Sequence, residues 1–199
     1  MNIQEEYQKK QPIIQQRLNQ FKQIKKEDYF YELCFCLLTP QSSAFKADAC
    51  IQELKQKDFL NNSVNPAPIL LKKTRFHNNK AGYLLEFKSR HLHVFSSLKK
   101  LNNPTEKRDF LVKAVTGLGL KESSHFLRNV GYENLAILDR HILKNLLKLG
   151  VIKELPKTLT RKTYLEIEEK FLQYSKEINI PLDHLDLLFW SMETGEVFK

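Results

Sequence analysis

The sequence has few cysteines and no long apolar run. Its three cysteines, Cys34, Cys36 and Cys50, are odd in number and lie in apolar or helical stretches, which argues against a disulfide framework. We therefore expect a reducing, cytoplasmic environment. No run approaches the roughly 18 apolar residues that a membrane span needs, and the polar N-terminal segment does not resemble a signal peptide. The sequence thus predicts no membrane partner.

Patterns typical of β-strands are missing as well. No stretch shows sustained alternation of apolar and polar residues between hairpin turns. Helical periodicity covers most of the 199 residues instead, which predicts an all-α fold. We expect one domain, 1–199, built as a single body or as two small lobes that share a cleft. The predicted helices are roughly Asn2–Ile24, Glu27–Leu38, Ser42–Lys57, Pro66–Lys73, Asn79–Phe95, Thr105–Val115, Lys121–Val130, Asp139–Leu149, Thr160–Glu177 and Pro181–Glu193.

Several predicted helix ends carry capping residues. Ser42 or Ser43 can cap the third helix, and Gly131 and Gly150 are typical C-terminal stops. The first helix leaves an alternative open, because its apolar residues could either cover the core or contact another chain. Those residues are Ile3, Tyr7, Ile13, Ile14, Leu18 and Phe21.

The charge favours an anionic partner. Thirty-two basic and 23 acidic residues give a formal net charge of +9, spread along the chain rather than gathered in a tail. Nucleic acid is the first candidate, because Lys and Arg that neutralise phosphates release counterions. A lysine-rich composition also arises from genome bias or thermal adaptation, so charge alone does not decide.

The most informative segment is Phe110–Gly131, FLVKAVTGLGLKESSHFLRNVG. A helix meets Gly117-Leu118-Gly119 and a second helix starts at once, which predicts a helix-hairpin-helix at about 106–131. The glycines allow a tight turn and a close backbone approach, and the new helix start offers amide groups to a phosphate. A bare GxG is also typical of an ordinary helix–helix turn.

The flanking residues separate these interpretations. Gly119-Leu120-Lys121-Glu122 and Ser124-His125-Phe126-Leu127-Arg128-Asn129-Val130-Gly131 resemble the archaeal-type 8-oxoguanine glycosylase/lyase of the helix-hairpin-helix DNA glycosylase superfamily. The resemblance continues at Ala136-Ile137-Leu138-Asp139-Arg140-His141-Ile142-Leu143. It also includes Glu32–Thr39, Arg75-Phe76, Lys80-Ala81, Leu185-Asp186-Leu187, Trp190 and Thr194-Gly195, and so covers about residues 27–199.

The resemblance implies a bifunctional DNA repair enzyme with two helical lobes flanking an active-site cleft. In this family the lysine after the hairpin, here Lys121, attacks the anomeric carbon, displaces 8-oxoguanine and forms a Schiff base that permits β-elimination. Asp139 matches a carboxylate that stabilises positive charge on the sugar. Because attack needs a neutral amine, we expect Lys121 to lie in a largely dry pocket.

The resemblance also assigns contacts to the flipped base. Phe76 and Trp190 match aromatic positions that sandwich the oxidised base. Lys199, at the end of the sequence, matches a terminal carboxylate that can accept the hydrogen that distinguishes 8-oxoguanine from guanine. Gln41 is a candidate for contact with the gap or the opposite base, although Pro40-Gln41-Ser42 also makes a good helix entry.

Other residues are expected to hold the DNA backbone. Gly117, Gly119 and Arg140 are the candidates, and the expected partner is double-stranded DNA containing 8-oxoguanine, bound by a monomer that associates with the nucleoid. Arg140 and His141 have no second ligand cluster in the sequence, so no metal site and no cofactor are predicted.

Two alternatives remain open. An endonuclease III-like glycosylase for oxidised pyrimidines would share the hairpin, the lysine and the aspartate. It lacks support here, because its iron-sulfur cluster needs four closely spaced cysteines and all three cysteines lie in the first 50 residues. A non-catalytic helix-hairpin-helix module would bind phosphate without needing Lys121 or Asp139.

Overall fold

The computed structural model describes residues 2–199, and these residues form ten α-helices, one short 3-10 helix at Lys26–Asp28 and no β-strand. The predicted all-α class is confirmed. The helices are α1 (Ile3–Lys22), α2 (Tyr29–Leu38), α3 (Ala44–Gln56), α4 (Ala67–Leu70), α5 (His77–Lys99), α6 (Pro104–Ala114), α7 (Leu120–Asn129), α8 (Arg140–Lys148), α9 (Arg161–Glu177) and α10 (Leu182–Thr194).

The chain forms two compact units. The first consists of the N-terminal residues up to Gln23 together with Leu127–Lys199, and the second is Ile24–Phe126. The hairpin begins in the second unit, and the last residues of α7 belong to the first. The single domain expected from the sequence stays a prediction.

In the first unit, α1 packs against α10, which also contacts α8 and α9. The sequence left open whether the apolar residues of α1 cover the core or contact another chain. Five of the six are buried in this unit, and only Ile13 is largely exposed, at 56%. The helix therefore covers the core of this unit. Its covered residues are Ile3, Tyr7, Ile14, Leu18 and Phe21.

In the second unit, α2 is the central helix, because every residue from Phe30 to Leu38 is buried. It packs against α3 and α5, α4 contacts α3 and α5, and α6 lies against α5. Aromatic rings fill the space between them, with Phe30 stacked on Phe87 at 5.4 Å between ring centroids. This packing fixes α5, which carries the buried Lys80 and starts directly after Phe76.

Two helices end three or more residues away from their predicted ends. The fourth ends at Leu70 rather than Lys73, because Leu71 has an extended ψ of 132° and Lys72 a positive φ of 61°. The fifth continues to Lys99 rather than Phe95, because Leu98 lies in the core, with only 5% of its surface exposed. Tertiary contacts set this end, which a local pattern does not show.

The predicted glycine stops are confirmed. Gly131 and Gly150 have φ values of 90° and 73°, and each donates its backbone N–H to a carbonyl three residues earlier, Arg128 O and Leu147 O. The next residue in each case, Tyr132 or Val151, donates its N–H to the carbonyl one residue further back, Leu127 O or Leu146 O. Both ends are therefore Schellman motifs.

Among residues 2–199, no helix combines the length and the apolar character needed to cross a bilayer.

Candidate active site

The hairpin turn is shaped by Gly117. Helix α6 ends at Ala114, Val115 is extended, and Gly117 has a φ of 93°. A Cβ at Gly117 would lie 2.5 Å from Tyr83 Cδ2, on α5. The glycine is therefore required twice, by the left-handed backbone and by the aromatic ring beside it.

A side chain at Gly119 would be crowded for a different reason. Its φ is not left-handed, but a Cβ there would lie 3.0 Å from Glu122 Oε2. That same oxygen accepts a hydrogen bond from the Gly119 N–H at 3.2 Å. Glu122 thus reaches back to the start of α7 as the carboxylate of a capping box does. One predicted phosphate-binding amide, that of Gly119, is already bonded to Glu122.

Lys121 lies in the first turn of α7, as predicted. Its Nζ is 2.9 Å from Oε1 of Glu122, and the side chains of Lys121 and Glu122 are 27% and 12% exposed. One carboxylate therefore holds both the hairpin amide and the amine. The expectation of a largely dry pocket is met only in part, because a quarter of the Lys121 side chain remains exposed.

Asp139 caps α8 in the first unit. Its Oδ1 accepts hydrogen bonds from the backbone N–H of His141 at 2.7 Å and of Ile142 at 2.8 Å. Both capping bonds end on Oδ1, so Oδ2 takes no part in the cap. The sequence prediction that Asp139 stands at a helix start is confirmed.

The segment before Asp139 is held by α9. The Tyr164 hydroxyl donates to Ala136 O and accepts from the Leu138 N–H at 3.4 Å. Glu168 Oε1 accepts from the Ala136 N–H at 2.9 Å. These bonds fix an otherwise irregular stretch and so fix where Asp139 begins α8.

A second aspartate lies near Asp139. Asp186 is buried and pairs with Arg128 Nη1 at 2.9 Å, and Arg128 lies over the Phe21 ring at 5.1 Å. Burial raises the pKa of the Asp186 carboxyl to about 7, with smaller contributions from the negative charges of Asp139 and Asp183 and against the opposing effect of Arg128. The first unit therefore has an acidic group of unusual pKa beside the proposed catalytic carboxylate.

A second lysine lies near Lys121. Lys80 is only 3% exposed, and its Nζ donates to Leu38 O, Pro40 O and Ser42 Oγ at 2.7, 2.8 and 2.9 Å. Burial, and to a smaller extent the positive charge of Lys121, lowers the pKa of Lys80 to about 8. Lys80 belongs to a stretch that carries the family resemblance, but its sequence position predicts no role for it.

The remaining candidates in the second unit are exposed. Phe76 is 54% exposed with a φ of 55°, and the Arg75 guanidinium lies 5.3 Å from its ring centroid. Gln41 is also exposed and has a φ of 53°. Ser43 is the N-cap residue of α3, but its side chain makes no capping bond, whereas Ser42 Oγ accepts from the Arg75 N–H at 3.0 Å.

The candidates in the first unit lie on or after α10 and at the start of α8. Trp190 is half-buried, with its ring 6.3 Å from that of Phe198, and Lys199 follows Phe198 in the sequence. Arg140 is exposed at the start of α8, and its Nε donates to His141 Nε2 at 3.2 Å. Within residues 2–199, no group of three or more His, Cys, Asp and Glu side chains is placed to hold a metal ion.

A sequence profile of the Ogg-HhH family, 8-oxoguanine DNA glycosylase, matches residues 14–180. The chain belongs to the 8-oxoguanine DNA glycosylase family. It is 45% identical to the 8-oxoguanine DNA glycosylase/AP lyase of Fusobacterium nucleatum, over 99% of this chain and 96% of that one. Identity to the Methanocaldococcus jannaschii protein of the same name is 40%, over 94% and 92% of the two chains.

Solved structures of the glycosylase family have the same fold. A crystal structure of the Methanocaldococcus jannaschii 8-oxoguanine glycosylase/lyase in complex with DNA containing 8-oxoguanine superposes with a TM-score of 0.89, at 36% identity and 99% coverage of both chains. The Thermotoga maritima 8-oxoguanine DNA glycosylase gives 0.88, at 32% identity, over 99% of this chain and 96% of that one. The resemblance inferred from the hairpin is confirmed, and family membership decides against the endonuclease III-like alternative.

Proposed function

We propose that this protein removes 8-oxoguanine from double-stranded DNA and then cleaves the abasic strand. The observation that carries the proposal is the position of Lys121, in the first turn of α7 directly after the glycine hairpin of a chain in this glycosylase family. A lysine there can act both as nucleophile and as the amine of a Schiff base, so one residue supports both activities.

In the proposed reaction, the ammonium of Lys121 first gives up a proton to solvent, and the neutral Nζ then attacks C1′ of the damaged nucleotide. The C1′–N9 bond breaks, and the base leaves with its electron pair and takes up a proton. Loss of a proton from nitrogen and opening of the sugar ring give a Schiff base, from which β-elimination breaks the 3′ C–O bond. Before attack, Nζ is held at 2.9 Å from Glu122, whose other oxygen is fixed on Gly119.

Asp139 is proposed to stabilise the positive charge that develops on the sugar as the base leaves. The backbone just before it, at Ala136 and Leu138, is fixed by Glu168 and Tyr164, and its Oδ1 is held by the cap, so its carboxylate is preorganised. Oδ2 supplies the charge to the substrate in this proposal. A preorganised carboxylate needs no rearrangement during the reaction.

DNA binding and base recognition are assigned to the remaining predicted residues. Gly117 and Gly119 let the hairpin backbone approach a phosphate, and Arg140 adds a positive charge at the start of α8. Phe76 and Trp190 are proposed to stack on the flipped base and Gln41 to contact the opposite strand. Lys199 is proposed to contact the oxidised ring of the flipped base. We propose that the protein acts as a monomer, which sedimentation with and without DNA checks.

Borohydride trapping tests the proposal. Wild type, Lys121→Gln and the control Lys113→Gln are incubated with a duplex carrying one 8-oxoguanine and with the undamaged duplex. Lys113 is exposed on α6 of the same hairpin, so its variant removes an equal charge. A covalent adduct with wild type and Lys113→Gln on damaged DNA, and none with Lys121→Gln, is expected. Binding of DNA by wild type without adduct or released base would favour the non-catalytic module instead.

A further inference from the structure

Lys80 occupies a buried position in which its whole hydrogen-bonding capacity is used. An ammonium group has three donors, and Nζ contacts three oxygens at 2.7–2.9 Å. Two of these oxygens are backbone carbonyls, Leu38 O and Pro40 O, and the third is Ser42 Oγ. All three belong to the end of α2 and the turn that follows it, so one side chain of α5 fixes that turn.

The turn fixed in this way carries Gln41 in an uncommon conformation. Gln41 has a φ of 53°, which few residues other than glycine adopt, and its side chain is exposed. Its neighbours on both sides, Pro40 and Ser42, bind Lys80 Nζ. The strained residue therefore lies between two anchored ones, as expected where the surrounding structure holds a side chain in a required position.

A second exposed residue is held by the same cluster. Phe76 has a φ of 55°, which is an outlier for a bulky side chain. Ser42 Oγ accepts from the N–H of Arg75 at 3.0 Å, and Phe76 O accepts from the backbone N–H of Lys80 at 3.0 Å. Ser42, which binds the Lys80 amine, thus also anchors the residue before Phe76, and the Phe76 carbonyl accepts a backbone bond at the start of α5.

We infer that Lys80 and Ser42 are positioning residues that set Gln41 and Phe76 for reading the lesion and its partner strand. The inference rests on the proposed function, because it takes these two exposed side chains to be the ones that meet the flipped nucleotide and the opposite strand. Lys80 acts through the two turns and does not itself touch the reacting atoms. Its loss therefore impairs base recognition and leaves the amine of Lys121 in place.

Two variants test the inference, with a matched control. Lys80→Met removes the three hydrogen bonds and keeps most of the side-chain volume, and Ser42→Ala removes only the shared hydroxyl. The control is Lys107→Met on α6, since Lys107 is also buried, at 4% exposure, and its Nζ also donates to backbone carbonyls, those of Leu98 and Leu101. Lys107 lies in no turn that carries a proposed reading residue.

Each protein is assayed with two duplexes under single-turnover conditions. One duplex carries 8-oxoguanine, which must be flipped and read before excision. The other carries a preformed abasic site, on which borohydride trapping needs the Lys121 amine but no base. We expect Lys80→Met and Ser42→Ala to slow excision by about 10- to 100-fold, because small displacements of positioning groups have effects of that size. Trapping at the abasic site should stay within about threefold of wild type, as should both activities of Lys107→Met.

The other outcomes overturn the inference. Equal losses on both duplexes would mean that Lys80 serves the amine rather than the reading turns. Unchanged excision, or equal losses in Lys107→Met, would mean that its role is only structural. If Lys80→Met does not fold, Ser42→Ala decides alone, because loss of one hydroxyl is a small change. Failure of the wild type with both duplexes would remove the proposed function and this inference with it.

Discussion

Helices α7 and α8 each begin beside a proposed catalytic side chain, but they divide the capping role differently. At α7, Glu122 caps Gly119 while the adjacent Lys121 carries the amine. At α8, Asp139 is both the cap and the proposed catalytic group. Local stability and chemistry are therefore separable by mutation at α7 and joined in one residue at α8. Each start also has a buried group of like charge nearby, Lys80 for α7 and Asp186 for α8.

The largest effect is expected from Asp139. Asp139→Asn keeps a side-chain oxygen for the cap but removes the charge, so excision should fall about a thousandfold, or ~4 kcal/mol of transition-state stabilisation. Asp139→Ala should show the same loss of rate and in addition lower the free energy of unfolding by about 1 kcal/mol, because the cap is lost. Single-turnover excision and urea unfolding measure the two effects.

Thr160→Ala is the control for the capping effect. Thr160 Oγ1 accepts from the Thr163 N–H at the start of α9, so its loss should cost about 1 kcal/mol of stability without slowing excision. Full activity in Asp139→Asn would show that the carboxylate has only its structural role.

The next effect is a pH dependence of stability that comes from Asp186. The folded state keeps its carboxyl proton up to a pKa of about 7, against an ordinary value of 3.8. Between these values the folded state binds more protons than the unfolded state, so stability falls as pH rises from about 4 to 7. The change amounts to about 3 kcal/mol. Urea unfolding of wild type and Asp186→Asn across this range should give curves whose separation changes with pH. A constant separation would contradict the prediction, even though Asp186→Asn also weakens the pairing with Arg128.

The two helix starts also differ in how far the sequence predicts them. Lys121 and Asp139 could be placed at helix starts from the glycine hairpin, the helical period and a family resemblance, because these signals are local. The bond from Gly119 to Glu122 could have been predicted, because a Glu three residues after Gly119 fits a capping box. The ion pair between Glu122 and Lys121 could not be predicted. This contact depends on the rotamer that the folded hairpin selects.

The other contacts that the sequence does not predict join residues far apart in the chain. Lys80 bonds to Leu38, 42 residues away, and Arg128 pairs with Asp186 over 58 residues. No periodicity connects such positions. The helices themselves could be predicted because apolar spacing is a local signal. The ends of α4 and α5 were predicted wrongly, because a positive φ at Lys72 and tertiary packing determine where these helices end.

A smaller effect is expected from the glycines that shape the start of α7 and the end of α8. Gly117→Ala meets both a left-handed φ of 93° and the Tyr83 ring, whereas Gly150→Ala has a φ of 73° in open space. We expect unfolding free energies lower by about 2 kcal/mol and about 1 kcal/mol, respectively. In a double-mutant cycle, adding Tyr83→Ala to Gly117→Ala should restore the part of the lost unfolding free energy that comes from the clash with the Tyr83 ring. Equal costs at both glycines would mean that the ring moves away freely.

The smallest effect is expected at Glu122, and it tests whether capping and catalysis are carried by different residues at the start of α7. Glu122→Gln keeps an oxygen for the Gly119 N–H and loses the charge beside Lys121, so stability should change little and excision by less than about tenfold. Glu122→Ala removes the cap as well and should cost about 1 kcal/mol in urea unfolding. If the excision rate of Glu122→Gln were as low as that of Lys121→Gln, the difference between the two helix starts would not hold. The carboxylate at α7 would then be part of the chemistry, and both helices would begin at residues in which capping and catalysis are joined.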